Sequence, residues 1–190
     1  DHSLSPIAES FHSIRTSVVF YLMGEKNKVV LTTSSNPAEG KSFISMNLAS
    51  SFASTNFKTI LVNLDLRKKN KQFAALYENA PLVGLSSYLI KQASVQDIIM
   101  RTKIENLDII QNTDLPPNPV NLLASDTLRE LFVYLRKNYD YIFIDSPPFG
   151  VVADSFLLME HADLTVYVSR AGYAMKKLLK QSVDEIESKN

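Results

Sequence analysis

The sequence contains no cysteine and no tryptophan, and only five glycines among its 190 residues. The lack of cysteine excludes disulfides, thiolate catalysis and cysteine-ligated zinc, and it is compatible with a reducing compartment. Three histidines are present, but His2, His12 and His161 are too scattered to suggest a metal cluster. No apolar run approaches the roughly twenty residues of a membrane helix, so we expect neither a membrane span nor a signal peptide in this sequence.

The sequence also lacks an excess of charge of either sign, because its twenty Lys and Arg residues balance its twenty Asp and Glu residues. Neutralising phosphates normally requires a basic excess, so this balance argues against a nucleic-acid partner. The length and the 45% hydrophobic content predict one soluble globular domain over residues 1–190. The chain starts at Asp1 without an initiator Met, and we expect a piece of a longer polypeptide or a chain truncated at its C-terminus.

Short β-branched runs alternate with stretches of helical spacing, which predicts an α/β domain with a mainly parallel sheet between two helix layers. The predicted strands are 29–33, 59–62, 107–110, 141–144 and 164–168. The predicted helices are 8–22, one starting at 40–42, 126–138 and 174–188. A proline-rich segment, 115–119, predicts a rigid loop in which Asn118 or Asn121 caps the next helix.

A polar segment, Ser-Asn-Pro-Ala-Glu-Gly-Lys-Ser at 35–42, follows a predicted strand and opens a predicted helix. This is the context of a phosphate-binding P-loop, in which backbone N–H groups and the helix N-terminus face the phosphates. Ser35 stands where the general pattern has its first glycine, and a polar turn with an incidental Gly-Lys-Ser is the alternative interpretation. The residues predicted to contact nucleotide are Asn36, Pro37, Ala38, Glu39, Gly40, Lys41 and Ser42.

Two further strands end in acidic residues, Asp65 after the strand at 59–62 and Asp145 after the strand at 141–144. Ligands of parallel α/β sheets bind at the carboxyl ends of the strands, where a carboxylate can reach Mg²⁺ or its bound water. The basic run 67–71 that follows Asp65 is read equally well as a solvated helix start and as a docking segment for substrate.

These three segments, Pro-Ala-Glu-Gly-Lys-Ser, Asn-Leu-Asp-Leu-Arg and Asp-Ser-Pro-Pro, resemble the cytoplasmic kinase domain of bacterial capsule and exopolysaccharide tyrosine kinases. The linking segments resemble the same family, so the likeness covers almost the whole chain; they are 84–89, 106–108, 116–119 with 122–123, and 139–140. The resemblance implies a P-loop fold and an ATP-dependent protein-tyrosine autokinase that regulates capsule or exopolysaccharide synthesis and export.

By motif position, the resemblance implies that Lys41 and Ser42 bind phosphate and Mg²⁺, with ATP or ADP as the nucleotide. It places Asp65 and Asp145 with Ser42 in the metal site, and Lys41, Asn63, Asp65 and Asp145 in the catalytic centre. Related septum-site and plasmid-partition ATPases carry an extra lysine early in the loop. Asn36 stands there in this chain, which favours the kinase branch.

Near the start of the chain, Glu9, His12 and Arg15 resemble the family's Glu-x-x-Arg-x-x-Arg motif, with His12 in place of the first arginine. The resemblance implies ring-like self-association, phosphorylation in trans, and a membrane chain-length regulator, fused or separate, at the cytoplasmic side of the inner membrane. All three positions lie on one helix face. An ordinary solvated amphipathic helix is the alternative.

Asn63 departs from the family, which has an aspartate there that is proposed to accept the tyrosine proton. An amide cannot take that proton, so we expect weakened transfer. A slow kinase used as a switch, a base supplied elsewhere and an engineered substitution all fit the sequence. The alternative function is therefore a catalytically weak, nucleotide-dependent oligomerisation switch. These residues also contain no cluster like the family's tyrosine-rich tail, since the eight tyrosines are dispersed.

Overall fold

A computed structural model describes residues 5–149, 154–173 and 176–187. Within these ranges six strands form one sheet in the order β3-β4-β2-β5-β1-β6. Every neighbouring pair is parallel except β3 and β4, which are antiparallel. The strands are β1 (Lys28–Ser34), β2 (Thr59–Asn63), β3 (Ile99–Arg101), β4 (Leu107–Ile110), β5 (Tyr141–Asp145) and β6 (Leu164–Val168).

Helices cover both faces of this sheet, and local sequence signals set several of their ends. Ser5 caps the first helix by accepting the N–H of Ala8, and Ser125 caps the sixth by accepting the N–H of Leu128. A 3₁₀ helix spans Lys71–Leu76. The α-helices are α1 (Pro6–Tyr21), α2 (Lys41–Ala53), α3 (Leu85–Leu89), α4 (Val95–Ile98), α5 (Pro119–Leu123), α6 (Asp126–Asn138), α7 (Asp154–Met159) and α8 (Lys176–Glu187).

The core consists of two apolar layers, one on each face of the sheet, because successive strand residues point to opposite sides. Ile142 and Ile144 of β5 face α6, whereas Tyr141 and Phe143 face α2. Phe52 of α2 fills the second layer, with its ring centroid 4.5 Å from Tyr141 and 5.1 Å from Phe143. Burial on both faces explains why the central strands are hydrophobic at almost every position.

The structure confirms the predicted α/β architecture with its mainly parallel sheet between helices. All five predicted strands are present, and α1, α2 and α6 lie where helical spacing predicts them. The prediction for 174–188 is met by α8, although its two end positions lie outside the described residues. The expected cap of α5 differs, because Asn118 is at the N-cap position but its side chain makes no capping hydrogen bond.

Strand β3 and the short helices were not predicted. With three residues in β3 and four to six in α3, α4, α5 and α7, none is long enough to show a period. None of the helices in the described ranges is long and apolar enough to cross a membrane.

Candidate active site

The P-loop links β1 to α2 through a tight turn whose backbone visits the left-handed region twice. Ala38 has φ 62° and Gly40 has φ 97°, a conformation that glycine adopts without steric cost. Two hydrogen bonds within the loop stabilise this turn. Glu39 Oε2 accepts the N–H of Asn36 at 2.7 Å, and the Ser34 hydroxyl donates to the Asn36 carbonyl at 2.7 Å. The buried Glu39 carboxylate therefore shapes the loop.

Lys41, the first residue of α2, is almost completely buried, with 4% of its surface exposed. Its Nζ lies 3.0 Å from Ser34 Oγ. Burial lowers the pKa of this ammonium, while the nearby carboxylate of Asp145 opposes the shift. An ammonium kept out of water in this way binds an anion more strongly than an exposed lysine does, because solvent screens it less.

Ser42 and Asp145 are brought together although 103 positions separate them in the sequence. Ser42 Oγ donates to Asp145 Oδ2 at 2.7 Å, and Ser45 Oγ donates to Asp145 Oδ1 at 3.3 Å. Asn70 completes the group, with Nδ2 at 2.7 Å from Ser42 Oγ and 3.1 Å from Asp145 Oδ2. Burial raises the pKa of Asp145 to about 6, against the opposing effect of the Ser42 hydrogen bond.

Asp65 lies beside this group, since its charge influences both Lys41 and Asp145. Its carboxylate is buried and bonded to its own loop: Oδ1 accepts the N–H of Arg67 at 3.3 Å, and Oδ2 lies 3.3 Å from Lys68 Nζ. The structure therefore places Asp65 at the predicted edge of the sheet, with its side chain engaged by the basic run.

Asn63 ends β2 directly beside Asp145 in the register of β2 and β5, and it is fully buried. Its Oδ1 accepts the N–H of Asp65 at 3.2 Å, which leaves its Nδ2 to donate to Gln111 Oε1 at 2.9 Å. The Nε2 of Gln111 is buried without a hydrogen-bond partner. Asn63 is thus a fixed, uncharged group beside the acidic residues.

A cavity of about 330 Å³ opens over the P-loop. Cationic and polar groups line it, with no carboxylate among the lining side chains, and this donor set fits a polyphosphate. Its lining includes Lys41, Lys68, Lys69, Lys71, Ser42 and Asn70.

Ser42 lines this cavity and is bonded to the buried Asp145 carboxylate, and the oxygen atoms of this pair fit Mg²⁺, which prefers oxygen ligands. In the described part of the chain, no three or more His, Cys, Asp or Glu side chains are grouped to hold a metal. Such a group is not required, because Mg²⁺ usually takes one or two carboxylates together with phosphate oxygens and water.

The predicted oligomerisation residues lie on α1, far in sequence from these groups. Glu9 is exposed and His12 is half-buried. Arg15 instead contacts α2 of the same chain, donating to the Ser51 carbonyl at 2.6 Å and to Ser51 Oγ at 2.9 Å. This guanidinium therefore helps fix α1 against α2.

Sequence reasoning missed Gln111 and the role of Ser35. Ser35 Oγ is hydrogen-bonded to the Tyr167 hydroxyl of β6 and lies 3.2 Å from Ser182 Oγ of α8. A serine in place of the loop's first glycine thus connects the loop to β6 and α8. The sequence marks Gln111 and the partners of Ser35 only as polar residues that follow a strand or stand among apolar residues, and this does not predict which side chains they contact.

The fold and the P-loop together define the class of protein to which this molecule belongs. A structure of the septum site-determining protein MinD from Pyrococcus horikoshii complexed with Mg-ADP has a TM-score of 0.68 and 20% identity, covering 85% of this chain and 65% of that one. At this identity the likeness concerns the fold alone. The molecule is a P-loop NTPase-like domain, of a class that binds nucleotide and Mg²⁺ in general.

Within that class, residues 28–189 match the AAA domain family. The tyrosine-protein kinase CpsD of Streptococcus pneumoniae is 33% identical over 179 residues, 94% of this chain and 78% of CpsD. The tyrosine-protein kinase YwqD of Bacillus subtilis is 36% identical over 170 residues, 90% of this chain and 71% of YwqD. The chain belongs to the family of bacterial tyrosine-protein kinases.

Two solved structures are similar to this chain in both fold and sequence. The chimerical protein CapA2B2 has a TM-score of 0.89 at 33% identity, covering 99% of this chain and 82% of that one. The kinase domain of the Escherichia coli tyrosine kinase ETK has a TM-score of 0.87 at 28% identity, covering 95% and 70%. A longer Klebsiella pneumoniae relative from the cps region is 34% identical over 164 residues, which are 85% of this chain and 22% of that protein.

Proposed function

We propose that this chain transfers the γ-phosphoryl group of ATP to a tyrosine of another copy, and that this autophosphorylation regulates capsule or exopolysaccharide synthesis and export. The observation that carries the proposal is that the buried Lys41 ammonium, 3.0 Å from Ser34 Oγ, lies close enough to feel the charge of Asp145, which is bonded to Ser42 beside a cationic cavity. Phosphoryl transfer relies mainly on positioning and charge stabilisation, and this arrangement supplies both.

Lys41 has the role of stabilising the charge on the transferred group. In the reaction, the bond between the γ-phosphorus and the oxygen of ADP breaks, a bond to the tyrosine oxygen forms, and the tyrosine proton passes to water. The buried ammonium and the backbone N–H groups of residues 38–42 would hold the phosphate oxygens in place. The Lys41 side chain already lines the cavity over the P-loop while its Nζ contacts Ser34 Oγ.

Ser42 and Asp145 would hold Mg²⁺, and Asp65 completes the acidic side of the site. When bound, Mg²⁺ neutralises charge on the phosphate oxygens during transfer. Ser42 offers a hydroxyl lone pair, and Asp145 offers a carboxylate that Ser42 and Ser45 already orient. Asp145 needs its charged form for this role, so protonation near its raised pKa of about 6 opposes metal binding.

The site is poorly equipped to accept the proton of the acceptor tyrosine. Asn63 lies where the family places an aspartate, and its amide cannot act as a base. Asp65 is the neighbouring carboxylate, but Arg67 and Lys68 engage it. Loss of a general base typically costs about 10²- to 10⁴-fold, so we expect slow transfer rather than none.

We further propose that α1 contributes Glu9, His12 and Arg15 to contacts between copies in a ring-like homo-oligomer, since Glu9 is exposed on the helix surface. The partner proposed for this assembly is a membrane chain-length regulator at the cytoplasmic side of the inner membrane. The Klebsiella relative supports a larger arrangement, because this chain matches only 22% of that protein.

The function is tested by incubating the protein with Mg-ATP and measuring phosphotyrosine by intact mass and antibody. Lys41→Met removes the buried ammonium while leaving its hydrophobic stem, so we expect loss of at least about 10²-fold in labelling. Lys137→Met is the matched control, because Lys137 is exposed near the end of α6, away from the P-loop.

Phosphotyrosine in the wild type and in Lys137→Met, but not in Lys41→Met, is the expected result. Mg-ATP binding without phosphotyrosine would favour the alternative of a nucleotide-dependent oligomerisation switch. Equal labelling of Lys41→Met and the wild type would refute the P-loop assignment.

A further inference from the structure

Asn70 lies in the basic run after Asp65, at the start of the 3₁₀ helix 71–76. Its Oδ1 accepts the N–H of Gln72 at 3.1 Å and so caps that helix. This bond determines which way the amide faces. With its oxygen committed to the helix, the Asn70 side chain must direct its NH₂ group towards the P-loop.

The Asn70 nitrogen meets two oxygen atoms that are themselves bonded to each other. It lies 2.7 Å from Ser42 Oγ and 3.1 Å from Asp145 Oδ2, while these two oxygens are 2.7 Å apart. The three atoms form a closed triangle. The amide N–H groups carry partial positive charge, and they occupy the point from which one cation could contact both oxygens.

The segment that carries Asn70 is held in place from both sides. Before it, Asp65 accepts the N–H of Arg67 at 3.3 Å and lies 3.3 Å from Lys68 Nζ. After it, Phe73 is fully buried and anchors the 3₁₀ helix in the core. Residues 68–71 therefore line the cavity over the P-loop in a segment that is held at both of its ends.

We propose that Asn70 is a cation surrogate: its amide holds Ser42 and Asp145 together before metal binds, and it must withdraw for Mg²⁺ to reach them. This inference rests on the proposed function, which assigns Mg²⁺ to that pair. The interaction of Asn70 with the pair competes with the metal and sets the Mg²⁺ concentration at which the site fills. Withdrawal of Asn70 also displaces the basic segment next to the phosphates, so metal binding and movement of residues 67–71 are coupled.

Asn70→Ser keeps the cap of the 3₁₀ helix and removes the contact of the side chain with Ser42 and Asp145. Serine is a good N-cap and preserves the start of the 3₁₀ helix, but its shorter side chain cannot also donate to Ser42 and Asp145. Asn70→Asp keeps the shape and the cap while replacing the donor with a carboxylate oxygen. That oxygen repels Asp145 in the absence of metal and attracts a cation to the same point.

The measurement is Mn²⁺ binding by electron paramagnetic resonance in the presence of ADP, together with the Mg²⁺ dependence of binding of a fluorescent ADP analogue. Neither readout requires phosphoryl transfer. We expect Asn70→Ser to lower the half-saturating metal concentration by about 2- to 12-fold, the range set by releasing one typical hydrogen bond. Asn70→Asp should lower it further.

Asn79→Ser is the matched control, since it makes the same substitution at an exposed position outside the P-loop cavity, and it should leave the metal affinity unchanged. Unchanged or weaker metal binding in Asn70→Ser would overturn the inference alone, provided that the wild type binds ADP in a metal-dependent way. Failure of the wild type and both Asn70 variants to bind ADP with metal would refute the proposed function together with the inference.

Discussion

Restoring a carboxylate at the end of β2, by Asn63→Asp, is the most informative change to this site. It exchanges one NH₂ group for an oxygen and leaves the side-chain volume almost unchanged. At present Asn63 donates to Gln111 Oε1 at 2.9 Å, and the Nε2 of Gln111 has no partner. An end-for-end rotation of the Gln111 amide would let that nitrogen donate to the new carboxylate.

The free-energy terms of this exchange oppose each other. A hydrogen bond to a charged group contributes about 1.5–3 kcal/mol, against about 0.5–1.5 kcal/mol for a neutral pair. The new charge, however, is buried beside Asp145 in the register of β2 and β5 and close to Asp65. Like charges and burial both disfavour its ionised form, so we expect a net stability loss of about 1–3 kcal/mol.

The expected gain is in the transfer rate. General-base catalysis contributes about 10²- to 10⁴-fold, and we expect the lower end, about 100-fold, because phosphoryl transfer depends mainly on positioning. The assay is the initial rate of ³²P transfer from ATP to a tyrosine-containing copolymer and to the protein itself. Asn63→Ala is the control without a base, and its rate should match that of the wild type. An Asn63→Asp rate equal to the wild-type rate, at unchanged nucleotide affinity, would refute the reasoning.

Two further predictions concern stability. Phe52→Ala should lower the free energy of unfolding by about 3–5 kcal/mol in urea titration, because the ring contacts Tyr141 and Phe143 in a closed core layer. His161 stacks on Phe132 with the ring centroids 4.5 Å apart, and burial lowers its pKa below the ordinary 6.5. The stability of the wild type relative to His161→Phe should therefore be highest above pH 6.5 and decrease as the pH falls below it, since the unfolded chain then binds the proton more readily.

The outcomes that would contradict these expectations are clear. A loss below about 1 kcal/mol for Phe52→Ala would show that the second core layer collapses around the missing ring. A stability difference between the wild type and His161→Phe that stays constant from pH 7.5 to pH 5.5 would show that folding does not disfavour the charged imidazole.

The sequence determined the parts of this protein that depend on local pattern. Hydrophobic runs mark β1, β2 and β5 because both faces of these strands are covered. The P-loop turn at 35–42 can be predicted from the sequence, because the end of a strand, the Gly-Lys-Ser triplet and the start of a helix all lie within about ten residues. Family resemblance follows from the same short segments and is confirmed by the relatives.

The tertiary structure decided which side chains meet. Ser42 and Asp145 are 103 positions apart, Asn70 and Asp145 are 75 apart, and Asn63 and Gln111 are 48 apart. Periodicity specifies that a residue lies on a strand or a helix face, but it does not specify the strand order that places two strand ends side by side. Pairing across that order bonded Asn63 to Gln111 and brought Ser42 and Asp145 together within reach of the Asn70 amide.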